Sequence, residues 1–191
     1  MDALPLIDNT CTFYDWQLIA EGTHALVYRV KETQYWETYC VKLFRSGWLT
    51  PFNLERTAYE HLLDANIVGY IPHVYGYGYR TLPEWGFPST EEDMYYGLVM
   101  EWLDKAERIS AENIRLDSAA MLLEGLADIH KAGILHNDLY RRNIIVIPGE
   151  NRGVWIDFSC AHTNEKYAHR QEMNIATGMI LDMVVQLKDR L

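Results

Sequence analysis

The hydrophobic pattern of the first half of the chain is that of antiparallel strands. Up to about residue 100, short runs of aromatic and β-branched residues alternate with turn residues, as in strands joined in a meander. The segment 18–44 predicts three strands, separated by a turn at Gly22 and a polar turn at Lys31–Gln34. Two further strands are predicted at His73–Tyr79 and Tyr95–Glu101, on either side of a loop that contains proline and glycine.

Helical spacing of apolar residues appears once in the first half and twice in the second. Asn53 is a candidate N-cap for the first helix, which would run through LERTAYEHLLDA. The second helix is predicted to start at a cap formed by Asp117 or Ser118 and to end near Ala132. The third is predicted over 165–191, and a β-hairpin turned by PGEN is predicted between the second and third helices.

These elements predict an α+β chain of two lobes. An antiparallel sheet with one main helix would form the first lobe, residues 1–103, and a reduced, mainly helical lobe would follow over 104–191. A boundary between unlike lobes is a common place for a ligand cleft. The segment MEWLDK at 100–105 therefore marks a region where binding residues are expected.

Composition narrows the classes of partner. The 191 residues are 49% hydrophobic and 23% charged, which is typical of a globular chain with a buried core. The formal net charge of −10 argues against binding to nucleic acid, because phosphate backbones require clustered lysine and arginine. The three cysteines form no CxxC pair, the first residues lack a secretory-signal pattern, and no apolar run reaches membrane-spanning length. We therefore expect a cytoplasmic protein without a membrane partner, and the oligomeric state stays open.

Three polar residues around the predicted hairpin are candidates for a metal and acid–base site. Asp138 and Asn143 lie five residues apart in the loop before the hairpin, and Asp157 follows its second strand. Because a hairpin returns its second strand beside its first, Asp157 is expected near Asn143. One carboxylate and one amide oxygen suit Mg²⁺, and the second carboxylate, Asp138, is suited to accept a proton from a hydroxyl.

A lysine in an apolar strand is the other candidate. Lys42 lies in YCVKLF, where its charge is costly to bury unless a partner neutralises it. A nucleotide phosphate is one partner, and a carboxylate of the following helix is another. Glu55 and Glu60 both qualify as that carboxylate, and Glu55 is favoured because Tyr59 and later apolar residues continue along roughly the same side.

Together these residues resemble the motifs of the protein-kinase-like superfamily. HNDLYRRN at 136–143 resembles the catalytic-loop signature H-R-D-L-x-x-x-N, and DFS at 157–159 resembles the D-F-G metal motif. Val41–Lys42 resembles the end of V-A-I-K, and LVMEWL at 98–103 resembles the last strand of the small lobe and the hinge. The similarity extends over most of the chain, from about residue 18 to residue 159.

The resemblance implies a two-lobed protein-kinase-like fold with an ATP site between the lobes and transfer of the γ-phosphate to a hydroxyl. It implies that Lys42 holds the α- and β-phosphates and pairs with Glu55. It also implies that Asn143 and Asp157 bind Mg²⁺ and that Asp138 is the catalytic base. Around the nucleotide, the resemblance places Gly22, Val27, Cys40, Met100, Glu101, Leu103 and Ile145.

Several positions depart from the family pattern. Only Gly22 remains of the Gly-rich loop, and Asn137 replaces the arginine that reads a phosphorylated activation segment. No A-P-E-like segment follows residue 159, a feature shared with the aminoglycoside and lipopolysaccharide kinase-like groups, so a minimal kinase is expected. Arg142, where some tyrosine kinases place an arginine, is the candidate for stabilising the transferred charge.

Two functions follow from the resemblance and its departures. The first is an active phosphotransferase that depends on ATP and Mg²⁺, with a protein or a small alcohol as the unknown acceptor. The second is a pseudokinase that acts as a nucleotide-binding or protein-interaction module.

Overall fold

A computed structural model describes residues 4–163 and 169–188 of the protein. This part of the chain is α+β, with a five-stranded antiparallel sheet, two smaller sheets and three α-helices. The strands are β1 (Phe13–Glu21), β2 (Ala25–Glu32), β3 (Thr38–Arg45), β4 (Val74–Thr81), β5 (Met94–Glu101), β6 (Glu107–Arg108), β7 (Ile134–Leu135), β8 (Ile144–Ile147), β9 (Arg152–Trp155) and β10 (His162–Thr163), and the helices are α1 (Leu49–Asp64), α2 (Leu116–Lys131) and α3 (His169–Lys188).

The five-stranded sheet contains all five strands predicted for the first half of the chain, in the order β1-β2-β3-β5-β4. Strand β1 begins before the predicted start at residue 18, and the turn after β2 spans residues 33–37, later than the predicted Lys31–Gln34. The turn lies there because the buried carboxylate of Glu32 accepts the backbone N–H groups of Gln34 and Tyr35, at 2.8 and 2.6 Å.

One face of this sheet is covered by an aromatic core around Trp85, which is fully buried. Gly97 leaves room for the indole, since a Cβ at that position would lie only 2.4 Å from Trp85 Cζ2. Val41 and Leu43 of β3 belong to this core. Because side chains alternate along a strand, Lys42 projects from the opposite face.

The starts of two helices differ from the sequence predictions. Helix α1 begins at Leu49, so Asn53 lies inside it and is not its cap; Pro51 fits the first turn, where the missing N–H is not needed. Helix α2 has Arg115 as its N-cap, so neither Asp117 nor Ser118 is the cap. Ser118 instead bonds back from the third helical position, its hydroxyl accepting the Arg115 N–H and donating to the Arg115 carbonyl, both at 3.0 Å.

The second half contains the predicted hairpin and third helix. Strands β8 and β9 pair antiparallel through the PGEN turn, and β6 pairs with β8. The indole N–H of Trp155 donates to the Leu122 carbonyl at 2.9 Å and so ties β9 to α2. Residues 165–168 and 189–191 of the predicted third helix lie outside the described part of the chain.

The chain divides into two compact units. The first contains the chain up to Arg56 together with His73–Trp102, and the second contains Thr57–Pro72 and the chain from Leu103 onward. The sequence placed residues 57–72 in its first lobe. They group with the second unit because Tyr59 packs against Phe158 and the backbone N–H of Trp155 donates to the Tyr70 carbonyl. Among the described residues, no helix combines the length and apolar character needed to cross a membrane.

Candidate active site

In the first unit, the lysine of β3 forms a buried ion pair with helix α1. Lys42 Nζ lies 2.6 Å from Glu55 Oε2, and the two residues are only 8% and 1% exposed. A buried ammonium group requires such a partner, because desolvation penalises an isolated charge. Of the two glutamates that the sequence offered, the favoured Glu55 is the one placed against Lys42 in the structure.

Three of the residues expected around a nucleotide share the face of the sheet that carries Lys42. Val27 is paired with Lys42, and directly paired residues project to the same face. Cys40 lies two residues before Lys42 on β3 and so projects to that face as well, and its pairing with Met100 brings Met100 there too. Burial raises the pKa of the Cys40 thiol to about 12, so the thiol stays neutral. These positions therefore form a largely uncharged surface beside the lysine.

The backbone N–H of Glu101, a residue that the resemblance places around the nucleotide, is already hydrogen-bonded within the first unit. Its N–H donates to the His73 carbonyl at 2.8 Å, and its carboxylate accepts the His73 N–H at 3.1 Å. Two further residues that the resemblance places around the nucleotide, Leu103 and Ile145, pack together with Ile147 in a hydrophobic cluster of the second unit.

The turn between β1 and β2 is tighter than a glycine-rich phosphate loop. Its one glycine, Gly22, donates its N–H to the Ala25 carbonyl at 2.9 Å. The ring of His24 lies against Trp48, with 4.5 Å between ring centroids. This contact could not be predicted, because nothing in the local sequence pattern links the turn to residues just before α1.

In the second unit, the loop after β7 organises the carboxylate of Asp138. Arg142 Nη2 lies 2.8 and 2.9 Å from its two oxygens, and the amide of Asn143 donates to Oδ2 at 2.7 Å. The guanidinium of Arg142 also lies over the ring of Tyr140, 4.3 Å from its centroid. The carboxylate of Asp138 is therefore held in one orientation by Arg142 and Asn143. The contacts with Asp138 and Tyr140 also hold Arg142 in place, although its side chain is 54% exposed.

The hairpin ties this loop to the segment that carries Asp157. The Ile156 N–H donates to the Asn143 carbonyl at 3.0 Å, and the Asn143 amide also donates to the Asp138 carbonyl at 2.9 Å. Asn143 thus connects, through its backbone and side chain, the residue before Asp157 with Asp138. Asp157 itself adopts a left-handed backbone with φ of 65°, and the Ser159 hydroxyl donates to its Oδ1 at 2.7 Å.

Glu172 supports the same loop and was not identified from the sequence. This residue of α3 accepts the backbone N–H groups of His136 and Asn137, and its Oε2 lies 2.8 Å from His130 Nε2. Asn137 has a left-handed backbone, with φ of 61°, at the point where Glu172 receives its N–H. In the sequence Glu172 is only a glutamate within the last predicted helix, which gives no indication of a contact with a loop 35 residues earlier.

Burial and hydrogen bonding set the charges of this supporting network. Burial alone would raise the pKa of Glu172, but hydrogen bonds from His130, Asn137 and His136 outweigh it and hold that pKa below its usual range. Burial lowers the pKa of His136, which is fully buried and whose Nε2 lies 3.0 Å from the Ile156 carbonyl. The carboxylate is therefore charged and the His136 imidazole is neutral near neutral pH.

We expect Glu55→Gln to lower the free energy of unfolding by about 1.5–3 kcal/mol, the range for a hydrogen bond to a charged group. The amide keeps the shape of the side chain but leaves the buried ammonium of Lys42 without this counter-charge. Urea unfolding measures the change. Glu60→Gln is the matched comparison, because Glu60 lies on the same helix but is half-buried. Equal losses in the two variants would contradict the assignment of Glu55 as the dominant partner.

No protein-family model matches the chain, and no curated protein matches it. The function therefore has to follow from the side chains described above.

Proposed function

We propose that the protein is a kinase-like phosphotransferase that depends on ATP and Mg²⁺ and transfers a phosphoryl group to a hydroxyl. In this proposal Lys42 and Glu55 would act on the nucleotide phosphates, Asp138 would act as the base, and Asn143 and Asp157 would hold the metal ion. A lysine paired with a glutamate, two aspartates and an asparagine are the side-chain types that phosphoryl transfer uses.

The observation that carries the proposal is the hydrogen bonding of Asn143. Its side-chain nitrogen donates to Asp138, and its backbone carbonyl accepts the N–H of the residue before Asp157. Asp138, the candidate base, and Asp157, a candidate metal ligand, lie 19 residues apart in the sequence. Asn143, the other candidate metal ligand, connects them through these hydrogen bonds. Turn-capping alone would account for each residue separately, but not for this connection between them.

The donor set fits Mg²⁺ bound together with a nucleotide. Among residues 4–163 and 169–188, no group of three or more His, Cys, Asp or Glu side chains could hold a metal ion. Mg²⁺ in phosphotransferases commonly takes only one or two protein ligands, with phosphate and water oxygens completing the octahedron. The Asn143 amide, whose nitrogen donates to Asp138, and the carboxylate of Asp157 would supply the two protein oxygens.

The step itself needs one proton acceptor and one charge stabiliser from the chain. ATP would supply the γ-phosphoryl group, which leaves ADP as the other product. Asp138 would orient the acceptor hydroxyl and take its proton as the new O–P bond forms. Lys42 would neutralise phosphate charge, and Arg142 would stabilise the transferred group when it releases the carboxylate of Asp138. The acceptor is a protein or a small alcohol.

We expect ATP with Mg²⁺ to raise the melting temperature of the purified protein, because a ligand bound only by the native state stabilises it. At an ATP concentration 100 times Kd the gain in unfolding free energy would be about 2.7 kcal/mol. Lys42→Met should abolish most of this shift. Lys31→Met is the matched control, since Lys31 lies on the neighbouring strand in a half-exposed ion pair with Asp15.

A phosphate-transfer assay over a panel of proteins and small alcohols then identifies the acceptor. If ATP caused no thermal shift and no acceptor in the panel were phosphorylated, the proposal would be refuted.

One observation favours a second function, a pseudokinase that binds nucleotide or a protein partner without turnover. The Gly22 N–H is used by Ala25 and the turn is packed through His24 onto Trp48, so fewer backbone donors face a phosphate than in a glycine-rich loop. A thermal shift with ATP, accompanied by no phosphate transfer to any acceptor in the panel, would favour this function.

A further inference from the structure

Ser159 stands where the resembled metal motif has glycine, and its hydroxyl contacts the metal-ligand candidate. Its Oγ donates to Asp157 Oδ1 at 2.7 Å, a usual distance for a hydrogen bond between a hydroxyl and an oxygen acceptor. Glycine cannot make this bond. Serine in place of glycine therefore adds a hydrogen bond to Asp157, besides reducing the conformational freedom of the backbone at position 159.

The backbone around this hydrogen bond is held in place by Phe158. The phenyl ring is fully buried and lies 5.2 Å from the ring of Tyr59 and 4.6 Å from that of His136. The Ala161 N–H donates to the Phe158 carbonyl at 2.9 Å and closes a turn over Ser159. The serine hydroxyl is consequently presented to Asp157 from an anchored segment.

The orientation of the Asp157 carboxylate matters for metal binding, and the backbone of this residue is itself unusual. Its φ of 65° is uncommon for a residue with a side chain and persists only where surrounding contacts enforce it. The hydrogen bond from Ser159 fixes the rotation of the carboxylate about its last torsion angle. A ligand that is oriented before the metal arrives loses less conformational freedom on binding, and outer hydrogen bonds of this kind typically change metal affinity by about 10–100-fold.

We propose that Ser159 is a positioning residue that orients the Asp157 carboxylate for Mg²⁺ and thereby sets the Mg²⁺ requirement for nucleotide binding. This inference rests on the proposed function, because it presupposes that Asp157 binds Mg²⁺ together with ATP. It goes beyond that function because it assigns the Mg²⁺ dependence of ATP binding to the Ser159 hydroxyl, a group that the glycine of the D-F-G motif lacks.

The test uses the full chain and measures how the increase in melting temperature caused by ATP depends on the Mg²⁺ concentration. Ser159→Ala should need about 10–100-fold more Mg²⁺ for half of the maximal shift, while the shift caused by ATP in EDTA should stay as in the wild type. Ser159→Thr should restore the wild-type requirement because it keeps the hydroxyl. Ser159→Gly, the second variant without a hydroxyl, should behave as Ser159→Ala does.

Ser110→Ala is the matched control, because Ser110 is a serine of the same unit whose hydroxyl accepts the Glu112 N–H. A purely structural role of Ser159 would lower the melting temperature without ligand and leave the Mg²⁺ midpoint unchanged, and that result would overturn the inference alone. A wild-type protein that ATP and Mg²⁺ do not stabilise would overturn the proposed function and, with it, the inference. The two failures are therefore distinguishable.

Discussion

Asp138→Asn is expected to lower the rate of phosphate transfer by about 10²–10⁴-fold, the usual contribution of a general base. The amide has almost the same shape, but it cannot accept the proton of the acceptor hydroxyl. It also loses the charge that pairs with Arg142, at 2.8 Å in the native protein. ATP binding, measured by thermal shift, should remain, since the first unit keeps Lys42 and Glu55. Single-turnover phosphate transfer to the acceptor found in the panel measures the effect.

Asp128→Asn provides the control for this substitution. It makes the same chemical change in another ion pair of the second unit, between Asp128 and the exposed Lys131, 2.6 Å apart. Exposed pairs contribute little to stability, so activity and stability should be nearly those of the wild type. If Asp138→Asn turned over ATP as fast as Asp128→Asn, the catalytic role of Asp138 would be wrong.

The hairpin that carries Asp157 was predictable because its signals are local. A turn sequence, PGEN, lies between two apolar runs, and the pairing of β8 with β9 follows from it. The expectation that Asp157 approaches Asn143 used the same reasoning, and the bond from Ile156 to the Asn143 carbonyl agrees with it. Periodicity and turn chemistry are sufficient when the two partners are close in sequence.

The starts of the helices were less predictable because cap residues are ambiguous. Ser118 has the right chemistry for an N-cap, yet it occupies the third helical position and bonds back to Arg115. In α1 the helix extends four residues ahead of Asn53, through a proline that only the first turn tolerates. A cap signal therefore identifies the neighbourhood of a helix start but not its first residue.

The interactions of Arg142 and Glu172 could not be obtained from sequence at all. The sequence assigned Arg142 to transferred charge, whereas the structure places its guanidinium on both oxygens of Asp138 and over Tyr140. Glu172 has no motif, and its partners lie in a loop and a helix that are distant in sequence. Such contacts depend on how helices pack, which composition and spacing do not specify.

Glu172→Ala is expected to lower the free energy of unfolding by about 3–5 kcal/mol, the cost of removing one partner from a buried charged network. The substitution leaves the N–H groups of His136 and Asn137 without their acceptor and removes the partner of His130. Because these N–H groups begin the loop that carries Asp138, phosphate transfer should fall as well. Urea unfolding measures the stability, and amide hydrogen exchange at residues 136 and 137 measures the loop directly.

Acid titration of stability gives an independent signature of the same carboxylate. Glu172 has a lowered pKa in the folded protein, so its contribution is fully present above the ordinary glutamate pKa of about 4.3 and is lost as the pH falls through the lower folded value. Glu172→Ala should remove this part of the acid dependence. Asp182→Ala, at an exposed position of the same helix, should change the stability by at most about 0.5 kcal/mol. Similar losses in both variants would mean that α3 is merely sensitive to substitution and that Glu172 does not hold the loop.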